Sequence, residues 1–351
     1  MPTLKYKYIH VILAVFMSIF MLYGNTTTLK NQIFKIENIP HLYFNTLIAF
    51  PQKAFSQNNP NKQYFDNEKI TPYEFENILK ELHKNNFILI SPHYLLDTNN
   101  NEITQQKVSI PDNKKPIIFS FDNVTYKSNY QTSGEVNKII VDRNNNIATY
   151  SSKQSIQDRI SYNNEFITIL ETFILNNPDF VYKNSRGIIF CTGINGLFGY
   201  NTSKQNPSSR NETKRVKEVV LKLKSLGWEF GCNNYEYISP STQTQLELSR
   251  NLSLWKNEIQ PIIESSSYFA YPNTSNINTT ENYHTTLVDN NFKIFFNNNT
   301  TVVDKKQLIL PRTHISGSTL RNNKAELSQF FNCELVYDHI NRPTPLTPLN
   351  Q

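Results

Sequence analysis

Short apolar runs alternate with helix-spaced apolar faces along most of this chain, and that alternation narrows its fold class. Leu42–Phe50, Phe87–Ser91, Pro116–Phe121, Gly187–Thr192, Trp228–Cys232, Tyr268–Tyr271, Phe292–Phe296 and Leu308–Pro311 read as eight strands. Between them lie helical patterns. Thr71-Pro72-Tyr73-Glu74 is a capping box with Pro at the first helical position, followed by Phe75, Ile78, Leu79 and Leu82 on one face. Glu165–Leu175 reads as a second helix, and Val216, Val219, Val220, Leu223 and Leu226 mark a third. Lys138–Val141 and Ile147–Tyr150 flank Asp142-Arg143-Asn144-Asn145-Asn146, a hairpin inserted in the domain. Strands alternating with helices predict α/β architecture with a parallel sheet or a (β/α) barrel. Chemistry in such folds sits at the carboxyl ends of the strands. The ends to inspect are Phe121-Asp122-Asn123, Cys232-Asn233-Asn234, Pro272-Asn273 and Pro311-Arg312.

Composition excludes several classes. The 351 residues include 23 Phe and 19 Tyr, enough aromatic material for a real core. Net charge is +6 and reads as spread along the chain, densest at Lys5 with Lys7, at Lys114-Lys115 and over Lys214–Lys224. With no arginine-rich arm or base-stacking module, nucleic acid is not expected as a partner. Three cysteines, Cys191, Cys232 and Cys333, are too few and too scattered for a disulfide framework or a zinc finger; three ordinary thiols are the leading reading, with a single bridge as the alternative. The 48 asparagines, many in runs, read as a coding bias toward A and T.

At the amino end, Lys5 and Lys7 precede Val11–Tyr23, an apolar run broken only by Ser18. This is the pattern of a signal peptide or signal anchor over residues 1–24. It predicts an extracellular location, secreted or held at the membrane through the N-terminal segment. A polar tether over 25–40, one domain over 41–345 and a tail over 346–351 complete the expected organisation.

Taken in order, the four strand ends resemble the polysaccharide deacetylase (NodB-homology, carbohydrate esterase) family, closest to a Gram-positive extracellular branch. Further stretches fit that branch: Ile70-Thr71-Pro72-Tyr73-Glu74-Phe75, Asn177-Pro178-Asp179-Phe180, the run from Thr192 to Tyr200, Gly227-Trp228-Glu229-Phe230, and Phe330-Phe331 with Asp338 and Arg342-Pro343. The resemblance implies a distorted (β/α)7–8 barrel with a small inserted hairpin, and a cell-wall or surface polysaccharide bearing N-acetyl groups as partner. It implies Asp122 as the base position and Arg312 as the group that orients it. Metal ligands in the family are a second Asp and a His-x-x-x-His pair, often holding zinc. Here those positions read Asn123, Asn233 and Tyr237, and an early family His falls on Asn45.

An Asn carbonyl is a weak donor and a Tyr phenol is mostly protonated at neutral pH, whereas zinc prefers imidazole, thiolate or carboxylate. No cofactor is therefore expected, and the predicted function is glycan binding with little or no hydrolysis. Two alternatives stand beside it. One is an active deacetylase using Asp122 with zinc or another divalent metal in a rebuilt Cys232/Asp122/Glu236 site. The other is an envelope scaffold protein. Tyr271, Pro272, Tyr126 and Tyr235 are the expected sugar-binding residues. His314, after Arg312, falls outside the position expected for a catalytic acid.

Overall fold

The computed structural model describes residues 29–98, 102–152, 154–272 and 281–346. The leader read over residues 1–24, Asn273 and the end of the tail lie outside them. The framework is a ring of parallel strands: β1 (His41–Phe44), β2 (Lys115–Asp122), β3 (Ile188–Cys191), β4 (Glu229–Cys232), β5 (Tyr268–Ala270) and β6 (Ile294–Asn297), followed by β7 (Leu308–Pro311) and β8 (Thr313–His314). Neighbours pair in parallel from β1 through β2, β3, β4, β5 and β6 to β7. β8 then pairs with β1, Thr313 opposite Leu42 and His314 opposite Tyr43. β7 and β8 are one extended segment broken at Arg312. The segment bonds β6 through its first half and β1 through its second, which closes the barrel and leaves it distorted at the seam. The expected (β/α) barrel is present, and the expected hairpin pairs Lys138–Val141 with Ile147–Tyr150 beside it.

Alternation along the strands sorts side chains into two layers. Ile118, Ile188, Phe190, Ala270, Ile294, Phe296, Leu308 and Leu310 pack together inside the ring, with Ile36 and Ile39 in the same cluster. Phe119, Phe121, Ile189, Cys191, Phe230, Cys232, Phe269, Phe295 and Ile309 face outward into the helical shell. That shell includes α1 (Pro72–Lys84), α2 (Phe166–Asn176), α3 (Ser209–Leu226) and α4 (Gln245–Glu258). α1 starts at the predicted capping box, with Thr71 and Glu74 bonding each other's backbone N–H.

Expectation and structure differ in places. The strand expected over Leu42–Phe50 ends at Phe44, because Thr46 and Leu47 leave the ladder to bond Glu135 and Glu165. Within the stretch read as a tether, Leu29–Ile33 pairs antiparallel with Lys107–Pro111. Among the described residues no helix is long and apolar enough to cross a membrane.

Candidate functional site at the carboxyl end of the barrel

The same alternation that buries Ile118 and Ser120 points Asp122, the last residue of β2, into the barrel. Arg312 reaches it from the seam between β7 and β8. Nη1 donates to Oδ1 and Nη2 to Oδ2, both at 2.7 Å, and each side chain is 1% exposed. Nη1 also donates to Ser120 Oγ at 3.1 Å, and His41 Nε2 is 2.8 Å from the same oxygen. Burial, then Arg312, pulls the His41 imidazole well below its ordinary range, so the ring is neutral. The guanidinium lies 4.2 Å from the centroid of the Tyr43 ring. Asp122 and Arg312, predicted from sequence, are thus brought together, with Ser120, His41 and Tyr43 as partners that sequence reasoning missed. The available signal was alternation: His41/Tyr43 and Ser120/Asp122 are i, i+2 pairs on one strand face.

Around this pair the chain takes left-handed backbone at Asn123 (φ 54°), Tyr126 (φ 52°), Asn234 (φ 58°) and Tyr237 (φ 57°). Asn tolerates that region; for Tyr it costs roughly 1 kcal/mol or more. Strain of this kind concentrates at functional sites. Tyr237 is half-buried beside Asp122, Tyr43 and Arg312, and burial followed by Asp122 drives its phenol well above the ordinary range. Tyr43, buried by the same group, is pushed up to about 12, with Arg312 opposing and Asp122 adding.

His314 stacks on Tyr43 with ring centroids 4.5 Å apart, and its Nε2 is 3.4 Å from Asn45 Nδ2. Burial, then Arg312 and Lys69, pulls it down to about 4. Asn45, Tyr43, His314, Asp122, Arg312 and Tyr237 therefore share the mouth.

The donor set does not suit a divalent cation. Asn233 is fully buried; its Nδ2 donates to Ala270 O at 2.8 Å, and its Oδ1 has no hydrogen-bond partner. One neutral carbonyl, a protonated phenol at Tyr237 and a half-buried amide at Asn123 supply no charge. Both Asp122 oxygens are held by Arg312. Glu236 accepts from Asn251 Nδ2 at 3.1 Å, and burial pushes the Cys232 thiol up. Cys232 also faces the helical shell, opposite to Asp122, so alternation separates the members of the rebuilt Cys232/Asp122/Glu236 site. Among the described residues no three His, Cys, Asp or Glu side chains cluster as cation ligands.

The expected sugar-binding residues sit deeper. Tyr271 is buried with its hydroxyl 2.8 Å from His284 Nδ1, and Pro272 beside it is buried. Tyr126 is 2% exposed. Tyr235 donates to Glu258 at 2.7 Å, and its ring lies so close to Gly193 that a Cβ there would come within 2.1 Å. These rings form walls behind the mouth and are not open platforms.

Behind Asn45 lies a second buried polar group. Lys69 donates to Glu135 Oε1 at 2.6 Å and to Thr46, and Thr46 Oγ1 donates to the same carboxylate at 2.5 Å. Glu165 Oε1 accepts from Leu47 N at 3.0 Å and Phe166 N at 2.8 Å. Burial pushes Glu165 up to about 8 against those two bonds, with Glu135 adding.

The class these features define is a distorted parallel α/β barrel with a desolvated carboxylate–guanidinium pair at its mouth. No protein-family model matches the chain, and no curated protein matches it. Among solved structures it is similar to the Streptococcus pyogenes deacetylase PplD in complex with acetate, with 11% identity and a TM-score of 0.44 over 86% of this chain and 99% of that one.

Proposed function

We propose that this chain is an exported, polysaccharide-deacetylase-like protein that binds N-acetylated cell-wall or surface glycan, carries no metal, and hydrolyses the glycan little or not at all. Support for the family comes from the order of the strand-end motifs. Support for binding in place of hydrolysis comes from one observation above all. Arg312 saturates both oxygens of Asp122 in a buried pair; the resemblance adds that the metal-ligand positions read Asn123, Asn233 and Tyr237. Amide hydrolysis at neutral pH needs an activated water. A carboxylate engaged on both oxygens by a guanidinium, with only neutral amide and phenol side chains at the positions the resemblance gives to metal ligands, activates water poorly.

The N-terminal segment is proposed to export the protein and to hold it at the outer face of the membrane. The test uses the full chain with chitooligosaccharides and peptidoglycan fragments. Calorimetric binding without acetate release is expected. Acetate release that vanishes in Asp122→Ala would establish a working deacetylase instead, and absence of any glycan binding by a folded chain would favour the scaffold reading.

A further inference from the structure

Residues 204–224 hold seven cations and two anions, so this single segment carries +5 of the chain's +6 net charge. The charge that reads as dispersed in the sequence is gathered on α3 and the turn before it. α3 folds this way because Val216, Val219, Val220 and Leu223 are buried against the barrel, which leaves the opposite face to solvent. Arg210, Lys214 and Lys217 fall in one line along that face at i, i+4 and i+7, all exposed, spanning about 10 Å. Arg215, on another side of α3, and Lys204, in the turn before it, are also exposed.

Nearby acids do not neutralise it. Glu212 is taken by Lys138 at 2.9 Å, and Lys224 at the far end is the cation that Glu264 takes, at 2.5 Å. Among the described residues Arg210, Lys214, Arg215 and Lys217 make no ion pair, and Glu218 is the one unpaired acid beside them. α3 descends from the carboxyl end of β3 toward the start of β4, so its Arg210 end lies at the barrel mouth.

We propose that this row is a docking track for a flexible, linear phosphodiester polymer. Cations in single file match one strand of spaced charges. A membrane surface would call for a flat field of cations, and a duplex for two rows. The guanidinium of Arg210 presents paired donors that fit phosphate oxygens, and a diester stays charged at every physiological pH. The track does not rest on the glycan-binding reading.

The experiment measures fluorescence anisotropy of a labelled synthetic glycerol-phosphate oligomer with the full chain across a salt series. Wild type should bind. Arg210→Gln/Lys214→Gln/Lys217→Gln should bind at least about tenfold more weakly, with the salt slope reduced by roughly two units. A control with the same charge loss elsewhere, Lys53→Gln/Lys107→Gln/Lys306→Gln, should stay within about twofold of wild type by the same counterion argument. Equal losses in the two triple variants would overturn the track, as would no binding by wild type. Tighter, row-dependent binding of phosphatidylglycerol vesicles would also overturn it.

Discussion

Arg312 grips Asp122 through two parallel 2.7 Å hydrogen bonds in a place where each side chain is 1% exposed. Removing one partner from such a pair leaves an uncompensated buried charge, which costs far more than the pair contributes. Arg312→Met is expected to lower stability by about 3–5 kcal/mol in urea unfolding. Arg312→Lys should also destabilise, because an ammonium cannot supply the paired fork. The double variant Arg312→Met/Asp122→Leu should recover much of the loss. A double variant as unstable as the single one would show that the pair is not what the barrel seam depends on.

Glu165 gives the fold a pH dependence with a definite sign. Its folded value, about 8, lies above that of an unfolded carboxyl, so folding favours the protonated form. The stabilisation is whole below the unfolded value near ~4.5 and is lost as pH rises through about 8. Unfolding free energy in wild type should therefore fall between pH 5 and 8. Glu165→Gln should flatten that slope and be the more stable protein at pH 8. A wild-type profile with no such fall would place the proton elsewhere in the Thr46–Lys69–Glu135 group.

His314 acts at the acid side. Its folded value near 4 is depressed, so its contribution is present above the ordinary histidine range and disappears as pH falls through 4. Titration by NMR should find a ring still neutral at pH 5.5. A midpoint near 6.5 would mean that the mouth admits water freely around the Tyr43–His314 stack.

Gly227 ends α3 with φ 101°, and a Cβ there would meet the Asn184 carbonyl oxygen at 1.8 Å. Gly227→Ala combines left-handed strain with a backbone clash, and should cost more than about 1 kcal/mol in thermal or urea unfolding. A neutral result would require the 184–187 connection to move.

Zinc retention checks the donor set directly. After incubation with zinc and desalting, elemental analysis should find well below one metal per chain. One tightly held equivalent would mean that side chains other than Asn123, Asn233 and Tyr237 converge on a cation.

Much of the barrel was legible because buried parallel strands write continuous apolar runs; Leu308–Pro311 matches its expected bounds. Asp122 and Arg312 could be paired on the resemblance alone. The inner partners could not, since Ser120 and His41 carry no motif and meet only when β1 and β2 lie side by side. Tyr126, Tyr235 and Tyr271 were expected at the mouth, yet an aromatic beside a strand end packs inward as readily as outward. α4 had a readable start, Thr244-Gln245-Leu246-Glu247, whose capping box is formed. Its weak apolar face concealed the rest. The strand Leu29–Ile33 was hidden by its own polarity, being defined by backbone pairing with residues distant in sequence.

The join between β8 and β1 has a consequence for biogenesis. The first stave meets its last neighbour across some 270 residues, so the cylinder cannot be hooped until the segment around Arg312 has been made. Until Thr313 and His314 arrive, β1 lacks one neighbour, and the carboxylate of Asp122 has no counter-ion from Arg312. A chain truncated before that point would be an open, sticky trough, its inner apolar layer unsealed along one edge.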